Sequence, residues 1–293
     1  KEDRLWFAGM IVIAANAGGA WSPLGDVTTT MLWIGGQITA GSIIVQTILP
    51  SLVSMIIPVL IISRRMKGTL VRMDIQEESP VNFNQNAFER NLVFFVGVGC
   101  LLFVPVFKTI THLPPYMGIL FGLGLMWVIT ELIHSGRDED EKGVFSVNHA
   151  LRKIDTPSIL FFLGILLSIG VLQATGVLNN LATLMSEKIG NISAITMSIG
   201  LLSAIVDNVP LVAAVQGMYP LEQYPTGHYF WEFLAYCSGT GGSVLIIGSA
   251  AGVAAMGLEK IEFFWYLKKI SWLALIGYLA GAAVFMLQHY LVA

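Results

Sequence analysis

The chain has 293 residues, of which 55% are hydrophobic and only 12% charged, and its mean hydropathy is +0.73. Soluble domains carry about a quarter charged residues, so this composition excludes a soluble enzyme. Repeated apolar runs of roughly 17–25 residues indicate an all-α polytopic membrane protein; a transmembrane β-barrel would alternate apolar and polar residues. With 16 Lys+Arg against 19 Asp+Glu, the net charge of −3 leaves no basic surplus for nucleic acid, and membrane lipid is the expected surrounding.

The chain starts at Lys1, with no initiator Met, and its first apolar run begins at Leu5, which raises the expectation that an N-terminal half is missing. The expected membrane-depth stretches are Leu5–Gly36 with a polar, Gly-rich interruption, Ile43–Ser63, Leu92–Phe107, Tyr116–His134, Ser158–Ala174, Ser193–Met218, Phe230–Met256 and Trp272–Leu291. If Ser193–Met218 is a re-entrant hairpin, 14 of the 16 lysines and arginines fall on one side of the membrane and only Lys108 and Lys188 on the other. A full crossing would move Lys260, Lys268 and Lys269 across and weaken that bias. The positive-inside rule then makes the charged side cytoplasmic and puts the C-terminus outside. The polar loops Arg64–Arg90 and Ser135–Lys153 read as solvated linkers. Cys100 and Cys237 lie far apart in apolar surroundings and read as buried thiols.

Three segments interrupt membrane-depth sequence with groups that lipid cannot satisfy. The first is AANAGGAWSPLGDVTTT (Ala14–Thr30) and the second is CSGTGGSVLIIGSAAG (Cys237–Gly252). An offset of 223 places Gly18, Gly19 and Gly25 over Gly241, Gly242 and Gly248. Paired breaks in corresponding halves are the signature of an inverted-repeat transporter, in which unwound backbone and half-helix ends face an ion near the bilayer midplane. The GxxxG pairs Gly118/Gly122 and Gly277/Gly281 read instead as sites of close helix approach. The third segment is LLSAIVDNVPLVAAV (Leu201–Val215), where Asp207 and Asn208 precede Pro210. A carboxylate at this depth costs several kcal/mol unless partnered, so Asp207 is a functional candidate at a hairpin tip. The same offset puts the repeat partner of Asp207 before Lys1.

The motifs NAGGAWSPLGDVTTTMLW (Asn16–Trp33) and SAIVDNVPLVAA (Ser203–Ala214) closely resemble the NhaD-type sodium/proton antiporters of the ion transporter superfamily, which also holds arsenite and dicarboxylate carriers. The resemblance runs along essentially the whole chain, as the C-terminal two-thirds or so of such a protein. It implies a homodimer with scaffold and transport domains, two oppositely oriented hairpins each followed by a broken helix, and elevator-type alternating access. On that pattern residues 1–36 form the broken transport-domain helix of the first repeat, whose hairpin is absent. Residues 37–190 are scaffold-type helices with cytoplasmic loops 64–90 and 135–155. Residues 191–257 form the second hairpin and broken helix, and 258–293 a cytoplasmic linker and the last span.

By matching position, the resemblance implies cation- and proton-binding residues Asn16, Asp26, Thr28, Thr29, Ser203, Asp207 and Asn208. Ser22, Asp155, Thr156, Ser238, Thr240 and Ser243 are secondary candidates. Sodium wants hard oxygen ligands, and Asp26, Asp207, Asn16 and Asn208 supply them. One carboxylate in such a site holds either a proton or Na⁺, and that competition is sufficient for exchange. The expected function is exchange of Na⁺ or Li⁺ for H⁺ in a bacterial inner membrane, with no cofactor beyond the transported ions. The alternative is an arsenite or anion carrier of the same superfamily. An intramembrane enzyme is not supported, because the chain has no GxSxG, HExxH or GxxxxGK[ST] motif. Glu232, with Glu222 and His228 nearby, reads as part of a solvated outer rim, with a pH-sensing or cation-attracting group as the alternative, and Asp155 as a helix cap before Pro157, with a place in the inner vestibule as the alternative.

Overall fold

A computed structural model describes residues 2–64, 66, 87–134, 149, 151–152, 154 and 156–292. All regular structure among them is helical: α1 (Glu2–Gly19), α2 (Val27–Ile34), α3 (Ala40–Ser63), α4 (Ala87–Thr111), α5 (Pro115–His134), α6 (Thr156–Ala174), α7 (Val177–Lys188), α8 (Ile192–Leu202), α9 (Asn208–Met218), α10 (Tyr229–Gly241), α11 (Ala250–Glu259), α12 (Phe263–Lys269) and α13 (Ser271–Val292). Four segments, Ala40–Ser63, Ala87–Thr111, Pro115–Ile133 and Ser271–Leu291, are long and apolar enough to cross a membrane. A bent pair, Leu163–Ala174 with Val177–Lys188, makes up to five. The charged loops expected at 64–90 and 135–155 lie for the most part outside the described residues.

The chain divides into two compact units, Lys1–Gly68 with Phe162–Ala293, and Thr69–Phe161. In the smaller unit α4 and α5 pack through the first GxxxG pair. A Cβ on Gly118 would come 3.0 Å from the Phe107 ring and one on Gly122 3.0 Å from the Cys100 Cβ, so only glycine lets the helices approach this closely. The second pair does the same work in the larger unit, where Gly277 lies on the Ser54 carbonyl and Gly281 between the Pro50 carbonyl and the Tyr236 hydroxyl.

Sequence and structure differ at two places. The expected span Ser158–Ala174 does end at Ala174, but a further helix that the sequence reading did not assign follows it: at Gly176, whose φ of +76° favours glycine, the chain turns by 73° into α7. Helix α7 is amphipathic, with Leu178 and Ala182 buried. The linker after residue 257 contains a short helix, α12, whose Tyr266 is fully buried in a core with Val12, Ile246 and Ile270.

The larger unit is organised around two interrupted helices that run antiparallel. At the start of α1, Arg4 pairs with Glu259 at the end of α11, Nη2 donating to Oε1 at 2.8 Å. At the end of α1, Asn16 meets Ser249 just before α11. Beyond α2, the Gly36 carbonyl accepts from the Thr226 hydroxyl at 2.6 Å and the Gln37 carbonyl from the Gly227 N–H at 2.8 Å, both just before α10. Thus α1 lies against α11, α2 against α10, and the two interruptions cross, with Ala20 against Gly239.

Candidate functional site

The first interruption spans residues 20–26 and the second 242–249, where lipid-incompatible residues marked them in sequence. Their local geometry corresponds pair by pair at the offset of 223. Gly19 and Gly25 face each other backbone to backbone, as do Gly242 and Gly248. The Gly25 N–H donates to the Ser22 carbonyl at 3.1 Å and the Gly248 N–H to the Leu245 carbonyl at 3.0 Å. Asp26 then caps α2 and Ser249 caps α11, each accepting backbone N–H groups that the first turn of a helix leaves unpaired.

Helices α8 and α9 form the third element. Helix α8 runs beside α10 in the same direction: Ser193 Oγ and Tyr229 Oη are 2.9 Å apart at their starts, and the Ser203 hydroxyl approaches the Ser238 carbonyl at 3.3 Å at their ends. Helix α9 then returns. Asn208, at its start, lies beside Gly242, while Tyr219, just past its end, packs edge-on against Phe230 at 4.9 Å. Both open ends of the α8/α9 pair are therefore at the first turn of α10, and the connecting segment 203–207 is at its last turn. Asp207 serves as the N-terminal boundary residue of α9 and Pro210 falls in the first turn, where its missing N–H costs no helical bond.

The structure brings the principal candidates together. Asn16 Nδ2 donates to Ser243 Oγ at 2.8 Å and Ser249 Oγ at 2.9 Å, tying α1 to both sides of the second interruption. Asp26 Oδ1 accepts from the Val27 N–H at 2.8 Å and Oδ2 from the Thr28 hydroxyl at 2.6 Å. Thr29 is engaged with the Asp26 backbone, donating to its carbonyl at 2.9 Å and accepting from its N–H at 3.3 Å, so it shapes the cap. Asp207 is partly buried and close to the N–H groups of Asn208 and Val209. Asn208 is only 4% exposed, and its side-chain oxygen has no hydrogen-bond partner.

Ser203, the last of the principal candidates, is fully buried and donates to the Gly200 carbonyl at 2.6 Å, holding the tip. The secondary candidates divide. Ser238 and Thr240 donate back to the carbonyls of Leu234 at 2.8 Å and Tyr236 at 2.6 Å, four residues earlier, which satisfies hydroxyls inside a helix. Ser243 accepts from Asn16, and Ser22 accepts a long bond from the Leu24 N–H at 3.4 Å. Thr156 opens α6 in the smaller unit, and Asp155 lies outside the described residues. Sequence reasoning missed Ser249, although the 223 offset from Asp26 marks it. It also placed Glu232 in a solvated rim, whereas that residue is 4% exposed. The error is physical: α2 and α3 cover the first turn of α10, and nothing local to Glu232 announces them.

Helices of membrane-spanning length, two crossed interrupted helices and polar groups gathered at their breaks mark an integral membrane protein and are consistent with a polytopic transporter. A family model described as CitMHS, citrate transporter, matches residues 2–241, and the chain belongs to this family. Sodium/proton antiporter 1 of Arabidopsis thaliana is 50% identical over 290 residues, covering 99% of this chain and 50% of that protein. Sodium/proton antiporter 2 of the same plant is 47% identical over 289 residues, covering 99% of this chain and 68% of the relative. The Na⁺/H⁺ antiporter NhaD of Alkalimonas amylolytica is 32% identical over 300 residues, covering 94% and 59%. The chain thus spans about half the length of the first relative, and the likeness extends along nearly all of the chain, as its motifs led one to expect.

Proposed function

We propose that this chain carries the cation site of a secondary transporter that exchanges Na⁺, or Li⁺, for H⁺. The observation that carries the reading is the buried, unpartnered Asn208 oxygen beside Asp207, set against the interruption between α10 and α11. A buried acceptor without a donor loses about 1–3 kcal/mol, which a dehydrated cation at the tip would recover. Asp207 and Asp26 supply the negative charge, and Asn16 with Thr28 and the break carbonyls supply neutral oxygens. A carboxylate that holds a proton has no charge left for an alkali cation, so the two ligands compete.

The matched interruptions, with caps at Asp26 and Ser249, support an inverted repeat. The return of α9 to the first turn of α10 supports a re-entrant hairpin. An elevator-type movement of this part within a homodimer belongs to the same proposal, as does a C-terminus opposite the basic loops. Bacterial relatives at 28–33% identity support a bacterial inner membrane, whereas those at 47–50% are from a plant. The second reading, an anion carrier, has the family description of citrate transporter in its favour. Electrostatics oppose it: the N-terminal ends of α2 and α9 would attract an anion, but Asp26 and Asp207 already stand there.

The test is the full-length gene product in proteoliposomes, with internal pH followed as NaCl, LiCl, KCl, citrate or arsenite is added. Sodium-driven proton movement that disappears in Asp207→Asn and in Asp26→Asn is the expected result. Exchange preserved in both variants, or transport of citrate or arsenite without alkali-cation exchange, refutes the reading.

A further inference from the structure

Glu232 is a buried carboxyl group that the site above does not use. It lies in the first turn of α10, about nine residues and therefore about 13 Å along the helix from the interruption at Gly241. It is 4% exposed. Its carboxyl meets the Ser42 hydroxyl in the first turn of α3. That hydroxyl is itself held 3.0 Å from Thr39 Oγ1 in the α3 cap. A carboxyl group so enclosed is retained at a cost of several kcal/mol if charged, and one hydroxyl does not offset that, so it takes up a proton readily. Five residues further along α3, about 7.5 Å nearer the breaks, Thr47 is also fully buried; its hydroxyl donates to the Ile43 carbonyl at 2.6 Å and lies 3.3 Å from the Ala20 carbonyl. Helix α3 thus presents one hydroxyl to Glu232 and another to the first interruption.

We propose that Glu232 is a second proton-carrying carboxyl group, separate from the Asp26 and Asp207 pair, through which protons pass between the cation site and the end of α10 remote from the break. The proposal rests on the exchange reading above. In each cycle the Glu232 carboxylate takes one proton from water at that end and becomes neutral. It then gives one proton, through the hydroxyls and water between, to the carboxylate that the departing cation leaves, and returns to its charged form.

The test compares wild type with Glu232→Gln in the full-length protein, measuring Na⁺ binding by calorimetry in detergent and Na⁺-driven proton flux in proteoliposomes. Glutamine keeps size and polarity but carries no exchangeable acid, so flux falls by about 10²-fold while Na⁺ affinity stays within about threefold. Wild-type flux in the variant overturns the proposal, as does loss of Na⁺ binding in step with flux, which marks a merely structural residue. A wild type that neither binds Na⁺ nor exchanges it overturns instead the reading on which the proposal stands. If Glu232→Gln does not fold, wild type is treated with dicyclohexylcarbodiimide, which attacks protonated carboxyls in apolar surroundings. An adduct on the Glu232 peptide with loss of flux supports the relay, and an unmodified peptide refutes it.

Discussion

The contact between the α8/α9 tip and the second interruption is backbone on backbone, and Gly248→Ala tests how much the site depends on it. A Cβ built on Gly248 would lie 2.6 Å from the Ala204 Cα, 2.7 Å from the Ala204 carbonyl oxygen and 2.8 Å from the Gly242 carbonyl oxygen. Ordinary contact begins at 3.4 Å, so the shortfall to the Ala204 Cα is 0.8 Å, and no flexible side chain is available to absorb it. Either the tip moves by about that distance or strain of about 1–3 kcal/mol remains. At about 2–4 °C per kcal/mol, the thermal midpoint falls by roughly 2–12 °C. Movement of the tip also carries Asp207 and Asn208 away from the break, by more than the roughly 0.5 Å that a preorganised site tolerates, and weakens Na⁺ binding by about tenfold or more. Gly257→Ala is the control: it lies in α11 with nothing within 4 Å of the added carbon, and alanine is the better helix former. Differential scanning fluorimetry and Na⁺ titration calorimetry on both purified variants decide the matter. A Gly248→Ala protein matching Gly257→Ala in midpoint and affinity would show that the close approach carries no weight.

Two further outcomes follow from the same geometry. Asn16→Ala removes two side-chain hydrogen bonds between α1 and the second interruption, at 2.8 and 2.9 Å, and lowers stability by about 1–3 kcal/mol, read as a fall in the thermal midpoint; an unchanged midpoint would show that Ser243 and Ser249 hold the break without Asn16. His228 caps α10 by accepting the Phe230 N–H on Nδ1 at 3.1 Å, a bond that only neutral imidazole makes, and partial burial, then the neighbouring His289, hold its pKa below the usual value. A lowered histidine pKa gives a contribution present in full above pH about 6.5 and lost as the pH falls through that value towards the folded-state pKa. Wild type therefore loses stability between pH 7.5 and pH 5, and His228→Asn, whose amide oxygen caps at any pH in this range, shows a smaller loss. Parallel midpoint curves for the two proteins would remove His228 from the account.

The interruptions at residues 20–26 and 242–249 were legible because glycine, proline and polar side chains cannot be carried at membrane depth without a local reason. That constraint is written into composition and needs no knowledge of neighbours. Asp207 was legible for the same reason, and the 223-residue offset between glycines anticipated which backbone segments would touch across each break. The bend at Gly176 was not legible, since Val177–Lys188 has the periodicity of a helix and says nothing about its direction.

Amino-acid order by itself therefore determined that the chain is helical and membrane-embedded, where its helices break, and which carboxylates lie at the breaks, because each follows from local solvation and backbone rules. Only the tertiary structure decided that Asn16 spends its amide on Ser243 and Ser249, that Asn208 is left with a bare oxygen beside Gly242, and that Glu232 is enclosed. Those outcomes depend on which segments cross, and residues more than two hundred positions apart in sequence meet only after the two interrupted helices have packed.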